Sequence, residues 1–173
     1  MLYWWQKLDK TAYIQATPWL HANTTKYLES ILRPDMEIIE HGSGGSTLWF
    51  AARCASVTAY ESDPDWYARM VDQGIPDNAA LVMWTKHAPP KLKANCCDLL
   101  VIDGEPVEDR AAWIKAAPRL VRNGGYIVLD NANRKEYVNA RQALQDKGYE
   151  FLVMDCNDDI SKHMVTDFYK VTK

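Results

Sequence analysis

Two uninterrupted apolar runs constrain this chain most: Leu99-Leu100-Val101-Ile102 and Tyr126-Ile127-Val128-Leu129, each followed by an aspartate. A strand without polar alternation is covered on both faces, which implies a parallel sheet between helical layers. Met36–Glu40, Ser56–Glu61 and Ala80–Trp84 read as further strands, and Phe151–Asp155 with Val165–Val171 as a closing pair. Helical segments follow the first, second and fourth strands, and a polar loop over 85–95 joins the third to the fourth. Thr17-Pro18 and Asp63-Pro64 each read as a helix start, a capping residue followed by proline in the first turn. Arg33-Pro34-Asp35 ends the first helix, and Gly148 closes a helix that begins at Arg134. This alternation predicts an α/β fold.

The 173 residues suit one domain, expected over 1–173 with residues 1–17 as an N-terminal extension. A formal charge of −3 gives no reason to expect a nucleic-acid partner. Lys86, His87, Lys91 and Lys93 are the nearest approach to a basic patch, and they read as a solvated loop. Cys54, Cys96, Cys97 and Cys156 show no CxxC spacing, so reduced thiols and a cytoplasmic location are expected. The aromatic start, Met1 to Trp5, does not read as a signal peptide, and no run is long enough to span a membrane.

The first strand ends in Glu40-His41-Gly42-Ser43-Gly44-Gly45-Ser46-Thr47. In an open α/β sheet, ligands bind where the strand order reverses, beyond the carboxyl ends of the strands. Glycines let the backbone turn there and approach a ligand closely. A dinucleotide loop would carry a third glycine where Thr47 stands. Glu61 ends the second strand, 19 residues after Gly42, where an acid can accept both hydroxyls of a ribose. Glu40 suits a ligand with a cationic amine and would repel a pyrophosphate.

The pattern Glu40-x-Gly42-x-Gly44-x-Ser46 followed by Glu61 resembles the first two motifs of the class I S-adenosylmethionine-dependent methyltransferases. The resemblance implies a Rossmann-like three-layer α/β/α sandwich whose seven-stranded, mostly parallel sheet has the order 3-2-1-4-5-7-6. It also implies that Gly42, Ser43, Gly44, Gly45 and Ser46 face the methionine part of the cofactor. Glu61 would hold the ribose, Ser62 would lie beside the adenine, and Trp84 would border it.

Asp103 ends the fourth strand, and Asp130-Asn131 end the fifth, on the rim where catalytic groups belong in this architecture. Their placement is similar to that of the metal ligands of catechol-type O-methyltransferases, which implies Mg²⁺ on Asp103, Asp130 and Asn131. Those enzymes place a lysine base shortly after the strand-four acid, whereas here Gly104-Glu105-Pro106-Val107 follows. In the reading without a metal, Asp103 touches the cofactor amine and Asp130 and Asn131 cap their turn. His41 would pack beneath the strand end. His87 and His163 are general-base candidates, and Tyr3, Trp4, Trp5 and Trp19 are candidates for an acceptor pocket. The expected function is methyl transfer to an oxygen of a small molecule, with Asp103 and Asp130 as catalytic residues. The alternatives are a non-catalytic cofactor-binding module and a nicotinamide-dependent oxidoreductase.

Overall fold

The computed structural model describes residues 16–156 and 164–173. Tyr3, Trp4, Trp5 and His163 lie outside the described residues, as does the side chain of Cys156. In chain order the elements are α1 (Ala22–Ile31), β1 (Glu37–His41), α2 (Gly45–Ala51), β2 (Ser56–Glu61), α3 (Pro64–Gln73), β3 (Ala79–Met83), β4 (Cys97–Ile102), α4 (Val107–Leu120), β5 (Val121–Leu129), a 3-10 turn (Lys135–Tyr137), α5 (Val138–Gln145), β6 (Glu150–Cys156) and β7 (Met164–Lys170). They build one seven-stranded sheet of order β3-β2-β1-β4-β5-β7-β6, the order that the resemblance implies. The first five strands are parallel, and β7 runs antiparallel between β5 and β6.

The apolar runs explain the layering. Successive strand residues point to opposite faces, so Ile39, Leu100, Ile102, Ile127, Leu129 and Tyr169 meet Trp113, Ile114, Ala117 and Leu120 of α4 on one face. Their neighbours Ile38, Leu99, Val101, Val128 and Phe168 pack with Leu28 of α1 and Trp49 and Phe50 of α2 on the other.

Two local expectations need correction. The first helix does not start at Thr17-Pro18; its cap is His21, whose ring nitrogen accepts from the Asn23 N–H. Thr17 is engaged elsewhere: its backbone lies so close to Gly45 that a Cβ there would sit 2.5 Å from the Thr17 carbonyl oxygen. The helix expected from Arg134 is broken into the 3-10 turn and α5. The Asp63 cap stands as expected, accepting from the Trp66 N–H at 2.8 Å.

The order reverses at β1, which pairs with β2 on one side and β4 on the other. There the turns after β1 and β4 touch backbone to backbone. Gly42 has φ +100°, and a Cβ on it would meet the Gly104 Cα at 2.7 Å. Only glycines permit this approach, and it places the two turns side by side at the mouth of a cleft.

Candidate cofactor and acceptor site

The cleft has a volume of about 630 Å³, within the range of small-molecule sites. Its walls bring together Glu40, Gly42, Ser43, Gly44, Gly45, Ser46, Glu61, Ser62, Asp103, Asp130 and Asn131. Sequence reasoning selected all of these residues from four separate strand ends.

The turn after β1 is fixed from within. The Gly44 N–H donates to the Thr47 hydroxyl at 3.1 Å, and the Thr47 N–H donates to the Gly44 carbonyl at 3.1 Å. The residue that replaces the third glycine of a dinucleotide loop thus closes the turn onto the start of α2. Glu61 is buried and accepts from Ser43 Oγ at 2.7 Å and from the N–H groups of Ser62 and Asp63 at 2.8 and 2.9 Å. Burial raises its pKa above the ordinary carboxylate value, although these three donors act against the rise. Glu40 is 2% exposed, and its Oε2 has no hydrogen-bond partner in the protein. Burial pushes its pKa up to about 7. His41 stacks on Trp113 with ring centroids 5.0 Å apart, and burial lowers its pKa to about 3, so the imidazole is neutral.

Asp103 and Asp130 face each other. Asp103 keeps 40% of its side-chain surface open to the cleft, yet protein surrounds the concave wall in which its carboxyl lies. Burial and the neighbouring Asp130 raise its pKa well above the usual range. Burial also raises Asp130, against the pull of Arg110 and of the Thr166 hydroxyl, which donates to Asp130 Oδ1 at 2.9 Å. The two carboxyl groups are close enough that each shifts the other's protonation.

The expectation of Mg²⁺ on Asp103, Asp130 and Asn131 does not fit these donors. Asp103 Oδ1 accepts from Arg110 Nη2 at 3.2 Å, Asn131 Oδ1 accepts from Arg110 Nη1 at 3.4 Å, and Asp130 Oδ1 is held by Thr166. Two of the three side chains already face a permanent cation, and a divalent ion would have to displace or adjoin it. Among the described residues no group of three or more His, Cys, Asp or Glu side chains is arranged to hold a metal ion.

Other candidates divide. Trp84 is not in the cleft wall; it packs edge-on to Tyr60 at 6.2 Å, and its indole donates to the Ala88 carbonyl. Trp19 lines the cleft beside Trp66, whose indole donates to the Ser43 carbonyl at 2.9 Å. His87 lines it too, with Nδ1 2.8 Å from buried Asp109. Sequence reasoning missed Trp66, Asp109, Arg134 and Arg110. Arg110 alone left a signal, because a cation in the first turn of a helix opposes the helix dipole and therefore needs anionic company.

The fold and the cleft define a Rossmann-like protein with a small-molecule cleft at the switch point of its sheet. Residues 39–132, more than half of the chain, match the methyltransferase-domain family, and the chain belongs to it. It is a class I methyltransferase that uses S-adenosylmethionine. Similar solved structures include the precorrin-6y C5,15-methyltransferase of Geobacter metallireducens, with 19% identity over 96% of this chain and 97% of that one, and a TM-score of 0.68. Aeropyrum pernix fibrillarin, solved with natively bound S-adenosyl-L-methionine, shares 18% identity over 79% of this chain and 67% of that one, at a TM-score of 0.63. A putative methyltransferase of Streptococcus mutans in complex with SAH shares 14% over 86% and 95%, at a TM-score of 0.65. A search of curated proteins finds no significant match. Among the described residues no helix is long and apolar enough to cross a membrane.

Proposed function

We propose that the protein transfers the S-adenosylmethionine methyl group to an oxygen of a small-molecule acceptor. The observation that carries this reading is the Asp103–Asp130 carboxyl pair, set at the strand ends beside the cofactor turn and raised in proton affinity by burial. A carboxylate of raised pKa is a better proton acceptor than an exposed one. In this reading Glu61 accepts from the ribose hydroxyls, Ser62 borders the adenine, and Gly42 to Ser46 face the methionine part. Glu40 and Asp103 receive its ammonium group.

The acceptor oxygen attacks the methyl carbon in line with the carbon–sulfur bond. The electron pair of that bond stays on sulfur and cancels its positive charge, and the hydroxyl proton passes to the Asp103–Asp130 pair. Alignment of nucleophile and leaving group supplies most of the remaining catalysis. The cleft favours a small acceptor, because about 630 Å³ is shared with the cofactor. Asp103, Glu105 and Asp109 on its wall disfavour a polyanion. One domain over residues 1–173 and a cytoplasmic location complete the proposal, the latter resting on the cysteine pattern.

Calorimetry with S-adenosylmethionine and NAD in parallel tests the cofactor, and S-adenosylhomocysteine release with catechol, phenol and glycerol tests the acceptor. S-adenosylmethionine binds and NAD does not in this reading, and at least one hydroxyl compound supports turnover. Binding without turnover on any of them would favour a non-catalytic module. Glu61→Ala should weaken S-adenosylmethionine binding by about 2–3 kcal/mol, the scale of losing a charged hydrogen-bond partner in a buried site. Unchanged affinity in the folded variant would remove Glu61 from the ribose.

A further inference from the structure

Arg110 is the only buried lysine or arginine among the described residues. It sits in the first turn of α4, and its side chain reaches back beneath the ends of β4 and β5. A guanidinium carries five N–H groups, and here all five have acceptors. Nε donates to the Gly104 carbonyl at 2.8 Å. Nη1 donates to the Asp130 carbonyl at 2.9 Å and to Asn131 Oδ1 at 3.4 Å. Nη2 donates to the Asp103 carbonyl at 2.6 Å and to Asp103 Oδ1 at 3.2 Å. Glu105 adds an ion pair at 3.8 Å. These contacts offset the repulsion expected for a cation at a helix N-terminus.

Arg110 bonds to all three residues that the resemblance assigned to a metal, to Asp103 and Asn131 through their side chains and to Asp130 through its carbonyl. We propose that Arg110 is the resident cation of this rim. It neutralises the acid pair, ties the turns after β4 and β5 together and positions Asp103, so the protein holds this constellation without a divalent ion. A guanidinium keeps its charge at any working pH and presents its donors in a fixed plane. Mg²⁺ requires near-octahedral oxygens at short range, and here an Asp103 and an Asn131 oxygen face the guanidinium while an Asp130 oxygen is held by the Thr166 hydroxyl. The inference uses the proposed acceptor end as its location, and its test requires no acceptor.

The test uses Mn²⁺ alone as the probe, read by paramagnetic broadening of backbone amide resonances in the full chain. In the wild-type protein, Mn²⁺ is expected to leave Asp103, Asp130 and Asn131 unbroadened, whatever it does at surface acids. Selective broadening at those three residues overturns the proposal, and this arm needs no variant. Arg110→Met removes the charge while keeping an apolar stem, and is expected to bind Mn²⁺ at the rim at least tenfold more tightly than the wild type. Adding Asp103→Asn is expected to abolish that gained site, a result that a merely structural role for Arg110 would not produce. A folded Arg110→Met that gains no Mn²⁺ site overturns the proposal. S-adenosylmethionine binding, measured on the same wild-type sample, reports the proposed function separately, so either reading can fail while the other stands.

Discussion

Glu40 is buried with one oxygen unpartnered, and its proton is held up to about pH 7 against an ordinary 4.5. Between those values the folded state binds a proton that the unfolded state has released. This contribution to stability is therefore fully present below the unfolded pKa and is lost as pH rises through the folded one. The loss reaches at most about 3 kcal/mol above neutrality, at ~1.4 kcal/mol per unit. Glu40→Gln should accordingly melt higher than the wild type at about pH 8 and close to it at about pH 5. Equal melting temperatures at both would mean that the carboxylate is not desolvated. If Glu40 receives the ammonium group, binding expels its proton, and wild-type affinity for S-adenosylmethionine falls as pH drops below 7. Glu40→Gln should bind more weakly and flatten that dependence, seen as a loss of buffer-dependent binding enthalpy. The chain thus keeps a carboxylate at a cost in stability where a ligand's charge can compensate. The acidic partners of the turn were legible from their place at strand ends. Asp109 was not, and Arg110 showed only as a cation in the first turn of a helix, because their contacts join residues from different strand ends and helices.

The turns after β1 and β4 matter as elements because their backbones touch at Gly42 and Gly104. A Cβ at Gly104 would lie 2.7 Å from the Gly42 nitrogen and 2.9 Å from the His41 carbonyl carbon, both backbone atoms that cannot swing away. Gly104→Ala should therefore cost about 1–3 kcal/mol, the usual scale of overpacking, and weaken S-adenosylmethionine binding by widening the cleft. Urea unfolding and calorimetry check both effects, and wild-type values for the two would argue that the turns are not in contact. Element positions were largely readable: β2 covers Ser56–Glu61 as expected, and the other strands except β5 shift by about a residue at their ends, where assignment is least certain. The failures have tertiary causes. Thr17-Pro18 has the local chemistry of a helix start, but the backbone of Thr17 is packed on Gly45. Asn123-Gly124-Gly125 has the residue types of a turn, yet β5 begins at Val121 and passes through it with a register shift against β4.

At the scale of the whole molecule, one reversal of strand order decides where ligands go, and uninterrupted apolar runs were enough to foresee the sheet that contains it. The strand order itself came from the resemblance, because periodicity says nothing about which strands are neighbours. Charge also acts at this scale. With a net charge of −3 and a cleft wall rich in carboxylates, the protein should not retain a labelled RNA in a gel shift at physiological salt. Salt-dependent retention would redirect the search toward nucleic-acid acceptors. The late strand β7 carries a further consequence. Its Thr166 hydroxyl holds Asp130, and its buried Asp167 accepts two bonds from Arg141 at 2.6 and 3.0 Å. The last strand of the chain thus steadies a carboxyl group laid down 36 residues earlier, at the rim of the cleft.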